Sequence, residues 1–546
     1  MVPGFCRTEL TFDEVLYDPD PIVPQIGFNR FQNSRWLQRK DATIRKISLY
    51  DWATLFRDRD SAVGIAVVKV DFEKSRAGSG GSEQRPAWDL YNVPLFLTES
   101  EPHNQSDPLV VICGAGFRGY VYDATPTGAF AGALLGAVKE GQTLRSLRGY
   151  FKFDPIGSGI SDQDVQVVRI EDTDTTNTVI TVDSSRVIKV YRRLQEGKSP
   201  EIEISRGLNQ VGFTGIPNPM GYGVYQTLQG ITCPAFFIQE FVENQGDAWN
   251  LLCDDAKRSI RRRLTQSPSR ANNESGTDDN EAGFSSLAGC LGEITAGLHR
   301  ALSEVQDDAF YPEALSPEDV ASLVESIISS IPETIEELSK SGSNPPCLIP
   351  ASGVCDAFMQ DESVVGCLKK VQGILTSAGE LGMKTRIHGD LHLGQFLKTS
   401  DKASGPFVII DFEGEPLRPV CERREKQSPL RDVAGMMRSF EYSGYWAASG
   451  VDDPPGHKGH VMELARQWGR RREDEFLKGY LDAIGKSCAF LIPRNRHSFQ
   501  LLLLCFKLEK ALYEVKYELR TRPSRTGIAL RGVVDTITEI RSILDC

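Results

Sequence analysis

Arg386-Ile-His-Gly-Asp-Leu-His-Leu-Gly-Gln395, followed by Val408-Ile-Ile-Asp-Phe-Glu-Gly-Glu-Pro416, is the stretch from which the fold can be read. Asp390 and Gln395 have the spacing of a His-x-Asp-x4-Asn catalytic loop, with glutamine in the amide position. In such a loop the aspartate orients and deprotonates an attacking hydroxyl, and the amide oxygen holds a magnesium ion. An apolar strand then delivers Asp411 as a second metal ligand, with Glu413 placed to assist. Either half alone also describes an ordinary turn or a strand end. The two in this order mark a phosphotransferase centre, because phosphoryl transfer needs a base, an amide and a carboxylate in place and little covalent help. His388 is expected to brace the loop. His392 is an additional histidine, suited either to packing or to substrate contact.

The surrounding composition narrows the classes. A chain of 546 residues has room for two or three domains with their own cores. A net charge of -12 argues against bulk nucleic-acid binding, which needs a cationic surface. It leaves ATP open, since nucleotide sites rely on backbone dipoles, one lysine and metal ions. Twelve cysteines are scattered without a Cys-x-x-Cys pair, as in a chain of reduced thiols. No signal-like start and no apolar run of bilayer length is present, so a soluble, cytoplasmic protein without membrane contact is expected.

Polar stretches at 74–86, 266–282, 339–346 and 450–459 punctuate the chain. The second is too polar to offset its ordering entropy and reads as a disordered insertion. Residues 44–70 and 88–98 carry strand-type patterning and 127–138 helical patterning; 149–245 is again strand-rich. Helical periodicity covers 287–339, 356–380, 430–448, 460–486 and 498–520. The expected division is an N-terminal α+β cap over 1–148, a β-rich nucleotide-binding lobe over 149–245, and a helical lobe over 246–546 that carries the catalytic loop.

The β-rich part has candidates for the nucleotide. Arg186-Val-Ile-Lys-Val-Tyr191 is an alternating strand with one lysine, so Lys189 is the expected phosphate-binding cation. Glu201 or Glu203, on the helix that Pro200 opens, would hold that cation, and Glu203 is favoured. The turn Asp174-Thr-Thr-Asn-Thr-Val179 stands where a glycine-rich loop is usual. Thr176, Asn177 and Thr178 could donate to phosphate there, or the segment could be a plain hairpin turn. Phe236-Phe-Ile-Gln-Glu-Phe-Val242 reads as the strand entering a hinge, with backbone groups of Glu240 and Val242 facing adenine.

With these pieces in place the chain resembles the maltokinase family. The resemblance rests on Arg35-Trp-Leu-Gln-Arg-Lys40, Lys189-Val-Tyr-Arg-Arg193, Gly246-Asp-Ala-Trp249, both catalytic segments, Glu422-Arg-Arg424, Ser428-Pro-Leu-Arg-Asp432 and the run to Phe440, and Leu508-Glu-Lys-Ala-Leu-Tyr-Glu-Val-Lys-Tyr-Glu518. It implies a two-lobed fold of the protein-kinase-like, aminoglycoside-phosphotransferase-like kind with an N-terminal cap. It also implies ATP and Mg2+ as cofactors, and maltose as acceptor giving maltose 1-phosphate for α-glucan and trehalose-linked metabolism. Association with a trehalose synthase and a monomeric or homodimeric state are further expectations from the same source. Thr521-Arg-Pro-Ser-Arg525 and Glu441-Tyr-Ser-Gly-Tyr-Trp446 depart from the family pattern near the acceptor, which keeps an amino-sugar kinase as the alternative. A catalytically inactive scaffold is the reading from another class. For the sugar itself, Lys510, Glu514 and Glu518 step by four along one helix beside Tyr513 and Tyr517; with Arg438 and His392 they are the expected acceptor contacts, against an ion-paired solvated face.

Overall fold

The computed structural model describes residues 4–544 except 18, 28–30, 35, 38–41, 74–86, 101–106, 115, 158, 161–164, 171–175, 266–278, 341–361, 400–405 and 452–457. The polar stretch 74–86 and most of 266–282, 339–346 and 450–459 lie outside the described residues, as does all but Trp36 and Leu37 of the Arg35-to-Lys40 motif. Residues 279–282, expected within the disordered insertion, instead form the first turn of a helix. The described chain divides into two compact units, 1–209 with 217–243 and 210–216 with 244–546. Among the described residues no helix is long and apolar enough to cross a membrane.

In the first unit β1 (Gly4–Arg7), β2 (Ile44–Arg57), β3 (Ser61–Phe72), β4 (Trp88–Thr98), β5 (Val110–Cys113) and β6 (Arg118–Asp123) form a six-stranded sheet of order β1-β5-β6-β4-β3-β2. Only the β1/β5 pair is parallel. The side chains of β3 enter two different cores. Ala62, Ala66, Val68 and Val70 pack with Trp52 and with Phe12, Val15 and Leu16 of helix α1 (Phe12–Tyr17). Val63, Ile65 and Val67 point the other way. Ser61–Phe72 is therefore an almost unbroken apolar run, the signature of a strand buried on both faces.

The second core is closed by α2 (Gly128–Lys139) and by a second sheet. Thr127 caps α2, its hydroxyl accepting from Phe130 N at 3.2 Å, and the helix buries Phe130, Ala131, Leu134, Leu135 and Val138 at helical spacing. The second sheet comprises β7 (Thr143–Arg145), β8 (Gly149–Pro155), β9 (Val168–Ile170), β10 (Thr178–Val182), β11 (Arg186–Val190), β12 (Pro219–Thr227) and β13 (Thr232–Glu240) in the order β7-β8-β12-β13-β11-β10-β9. Helix α3 (Pro200–Gln210) follows β11. Phe151, Phe153 and Phe236 of this sheet meet Val63 and Ile65 of the first in one continuous core.

The second unit is helical around a three-stranded and a two-stranded sheet: β14 (Asn244–Asp247), α4 (Ala248–Thr265), α5 (Asp279–Glu304), β15 (Glu313–Ala314), α6 (Pro317–Lys340), α7 (Glu362–Ser377), β16 (Met383–Lys384), β17 (Phe396–Thr399), β18 (Phe407–Ile409), α8 (Val420–Arg423), α9 (Leu430–Ser449), α10 (Lys458–Ser487), α11 (Arg496–Thr521) and α12 (Thr526–Leu544). The single helical stretch expected over 287–339 is two helices with β15 between them. α4 and α12 were not legible as helices. Thr526-Gly-Ile-Ala-Leu-Arg-Gly-Val-Val is poor in strong helix formers, yet α12 forms because Ile528, Leu530, Val533, Ile537 and Ile540 are buried. α11 lies at the centre, packed on α6, α9 and α12 with Leu501–Leu504, Phe506, Leu508, Leu512 and Val515 buried.

One buried carboxyl ties the two sheets of the first unit together. Asp51 on β2 is 0% exposed and accepts from Ser146 Oγ at 2.7 Å, Tyr225 OH at 2.7 Å and Arg148 N at 2.9 Å. Burial, with the Asp51 bond next, pushes the Tyr225 phenol well above its usual range. Asp51→Ala would strand two hydroxyls and an amide, each costing about 1–3 kcal/mol. Chemical denaturation should show a stability loss of about 3 kcal/mol or more, and a loss below about 1 kcal/mol would mean that the sheets do not depend on this carboxyl.

Candidate active site

In the first unit Lys189 of the strand Arg186–Val190 and the two arginines after it are each paired with a carboxylate. Lys189 Nζ is 3.0 Å from Glu201 Oε2, and Tyr191 OH donates to the same oxygen at 2.6 Å. The carboxylate held against Lys189 is thus that of Glu201, 3% exposed, which corrects the choice of Glu203. Two residues further along a helix the side chain turns by about 200°, and Glu203 lies 3.7 Å from Lys198 instead. Arg192 is buried among Asp123 at 3.0 Å, Thr125 at 3.3 Å and Thr178 at 2.8 Å, with its guanidinium over Trp36; Arg193 pairs with Asp89 at 2.9 Å.

The remaining candidates of this unit are placed as follows. Asp174 and Thr175 lie outside the described residues; Thr176 and Asn177 form the bend before β10. The hydroxyl oxygen of Thr178 is engaged by Arg192, which draws that side chain into the sheet's ion network rather than a phosphate loop. Glu240 ends β13, and its N–H donates to Asn218 O at 2.9 Å, which removes that group from the expected adenine contacts. Val242 follows just beyond the strand end.

In the second unit the segment 388–395 is held from behind. Asp432, in the first turn of α9, accepts from His388 N at 2.8 Å on one oxygen and from Gly389 N at 2.9 Å on the other. His299 Nε2 adds a bond at 3.2 Å, and His299 Nδ1 meets Tyr480 OH at 3.0 Å. Burial would raise the Asp432 carboxyl, but His299, His388 and the Gly389 amide outweigh it and hold it below the usual range. His388 Nε2 faces Ile410 O at 3.0 Å while Nδ1 accepts from Asp390 N at 3.3 Å, so the ring braces the loop. His299 and Tyr480 were missed in the sequence, where nothing distinguishes a helical histidine whose partner lies 133 residues away.

The hairpin β17/β18 sets the metal candidates side by side. Its register pairs Phe396 with Ile409, and Ile410 N donates to Gln395 O at 3.0 Å, so Gln395 comes to lie opposite Ile410 and next to Asp411. Asp411 adopts φ 67°, a left-handed conformation that a side-chain-bearing residue rarely holds without cause. His392 is turned inward. Its Nδ1 accepts from Gly394 N at 3.1 Å, which leaves the ring proton on Nε2, 3.2 Å from the Gln395 amide. Burial keeps the ring's proton affinity low. The amide nitrogen of Gln395 donates to Asp411 Oδ2 at 3.4 Å, so the amide lies between the histidine ring and the carboxylate. Carboxylate oxygens of Asp411 and Glu413 lie within 4.8 Å of each other. Asp411 and Glu413 thus offer converging carboxylate oxygens of the kind magnesium takes, with the Gln395 amide beside Asp411. His392, expected at the substrate, serves this amide instead.

The expected acceptor contacts on α11 are largely spoken for. Lys510 Nζ lies 2.7 Å from Asp390 Oδ1 and 2.8 Å from Glu415 Oε1. Burial would raise the Glu415 carboxyl, yet Lys510, Arg431 and Arg418 hold it at about 2. Glu514 pairs with Arg438 at 2.6 Å, and Arg438, 0% exposed and also bonded to Glu441, is closed off from any substrate. Glu518 is bound by Tyr442 OH at 2.9 Å and Arg522 at 2.8 Å, with burial, partly offset by Arg522, raising its carboxyl. Arg438, Glu514 and Glu518 are therefore corrected to internal ion pairs. Tyr513 remains half-buried, its ring 4.9 Å from the Lys510 ammonium and stacked on Tyr517 at 6.3 Å.

A strand-rich unit with a lysine–glutamate pair and a helical unit with this loop make up an α+β, protein-kinase-like fold. A solved structure, glucosamine kinase in complex with glucosamine, ADP and inorganic phosphate, superposes with a TM-score of 0.62 over 96% of this chain and 99% of that one, at 18% identity. Glucosamine kinase of Mycolicibacterium smegmatis is 30% identical over 299 residues, 54% of this chain. The match spans 63% of that protein's length. Glucosamine kinase of Streptacidiphilus jiangxiensis is 24% identical over 381 residues, 67% of this chain and 72% of its own. No family model matches the chain.

The Arg438 assignment is open to test. A Cβ at Gly532 on α12 would lie 1.8 Å from Arg438 Nη1, so Gly532→Ala should destabilise the fold by about 1–3 kcal/mol through overpacking. Glu514→Ala should cost about 3 kcal/mol, the lower end for a broken buried pair because Glu441 remains on the guanidinium. Melting temperatures unchanged in both variants would return Arg438 and Glu514 to the acceptor site.

Proposed function

We propose that the protein transfers the γ-phosphoryl group of ATP to a hydroxyl of a sugar, with an amino sugar of the glucosamine kind as the favoured acceptor. The observation that carries the kinase reading is the loop itself: Asp390 stands at its head while the hairpin register sets Gln395 3.4 Å from Asp411. The amino-sugar preference is supported by the names of the relatives, which favour it over the maltose expectation. Maltose stands second. The Lys510 ammonium beside Asp390 favours an acceptor that brings no like charge to that point.

In this reading Asp390 aligns the acceptor hydroxyl and takes its proton as the oxygen attacks phosphorus. Lys189, steadied by Glu201 and Tyr191, engages the phosphates. Gln395 and Asp411, with Glu413 beside them, would hold magnesium, which supplies neutralisation of the charge spread over the phosphate oxygens. Tyr513 offers an aromatic face to a sugar ring.

A panel of glucosamine, glucose and maltose with ATP tests the acceptor. Glucosamine is expected to give the highest kcat/KM, and a clear preference for maltose would reverse the order of the two readings. Asp390→Asn should lower kcat by about 10²–10⁴-fold with ATP affinity unchanged, the range of general-base catalysis. Near-normal turnover in that variant would remove Asp390 from the mechanism. Asp411→Ala should abolish the magnesium dependence of nucleotide binding measured by calorimetry. Tight, magnesium-dependent binding by the variant would show that Asp411 is not a ligand.

A further inference from the structure

Three carboxylates and three cations form one connected network around the head of the catalytic loop. Lys510 Nζ bridges Asp390 Oδ1 at 2.7 Å and Glu415 Oε1 at 2.8 Å. The other oxygen of Glu415 faces Arg418 Nε and, at 3.8 Å, Arg431 Nη2. Both arginines converge on Glu509 Oε1, at 2.9 and 3.0 Å, and Glu509 precedes Lys510 on α11. Each oxygen of Glu415 thus has a separate task, one toward the lysine and one toward the arginines. Glu415 is 2% exposed, too buried to meet a substrate.

The geometry points to Glu415 and Lys510 as a positioning pair for the catalytic base. We propose that Glu415 anchors the Lys510 ammonium, and that the ammonium in turn pins Oδ1 of Asp390 so that Oδ2 is the oxygen presented to the acceptor hydroxyl. A carboxylate tethered only through its own chain can rotate about its side-chain torsions, and each rotamer removes it from line with the phosphorus. A charge-assisted bond of 2.7 Å to one oxygen stops that rotation. The hydroxyl proton then passes to Oδ2 as the acceptor oxygen bonds to the γ-phosphorus and the bond to the bridging β,γ-oxygen breaks, releasing ADP. This inference rests on the sugar-kinase reading and assigns to Glu415 a role that acts wholly through Lys510.

The test compares the parent with Glu415→Gln, Lys510→Met and Lys510→Arg, using glucosamine, glucose and maltose as acceptors. Glu415→Gln should lower kcat about ten- to hundredfold, the range of one charged hydrogen bond, with sugar KM and nucleotide affinity each within about twofold. Lys510→Met should fall at least as far, and Lys510→Arg should recover part of the rate. A raised sugar KM with kcat intact in the lysine variants would make Lys510 a sugar contact and overturn the proposal. So would a loss of thermal stability without a loss of kcat in Glu415→Gln. Crystal structures of Glu415→Gln and Lys510→Met give a readout independent of activity: the Asp390 carboxylate should leave its present rotamer in both. If it stays in place the proposal fails whatever the kinetics. A parent that phosphorylates no sugar would sink the kinase reading, while the Asp390 rotamer in the variants would still decide whether the pair positions that side chain.

Discussion

The carboxyl of Asp432 faces the turn His388-Gly389 from the first helical turn of α9, and its two oxygens take both backbone N–H groups of that turn. A loop with unpaired amides in a buried setting would pay for each one; here the helix supplies the acceptors. The same face of α9 continues the contact. Gly435 has no room for a Cβ, which would lie 2.6 Å from Leu391 O, and Ser439 Oγ accepts from Leu393 N at 3.1 Å. Positions 432, 435 and 439 are spaced by three and four, one stripe of a helix. Residues 388 to 393 are laid along that stripe in order. The position of Asp390 is thus dictated by a helix that begins 40 residues later in the chain.

The parts of the site that were legible in the sequence are those fixed by local geometry. Gln395 and Asp411 are brought together by one hairpin register, and Asp390 precedes Gln395 in the same short loop, so period and spacing encode both. The choice of Glu203 over Glu201 failed because two helix positions decide which way a side chain points, and the strand opposite cannot be read from the helix. The stripe Lys510, Glu514, Glu518 has the i,i+4 spacing of an ion-paired solvated face, yet Lys510 and Glu514 find their partners on other elements, and Glu518, besides Arg522 four residues on, is held by Tyr442. Spacing along one helix carries no record of what faces it. His299, whose partners Tyr480 and Asp432 come from α10 and α9, was invisible for the same reason.

Beside the stripe of Asp432, Gly435 and Ser439, α9 meets a second set of charges. Arg438 is enclosed by Glu441 and Glu514, and Lys507, 2% exposed, reaches Glu441 at 2.6 Å and Glu473 at 3.1 Å. Such pairs are weak evidence for stability, since desolvation offsets much of the attraction. Their effect is on register. A helix packed only through leucines can slide or rotate with small change in buried area, whereas a lysine and a glutamate with single matching partners tolerate no such shift.

That register matters for chemistry because α11 carries Lys510 in the same series. Rotating the helix by one residue turns each side chain by about 100°, enough to take the Lys510 ammonium away from Asp390. Lys507, one turn before it, and Glu514, one turn after it, are each tied to α9 or α10 through partners that differ in charge and position. The helix is therefore clamped on both sides of the residue that touches Asp390. α9 in turn holds the loop through Asp432 and α11 through Arg438 and Glu441. Both atoms of the contact between Lys510 and Asp390 are located by the same helix, so the 2.7 Å between them is set by side-chain packing within one rigid element rather than by the summed errors of two independent ones.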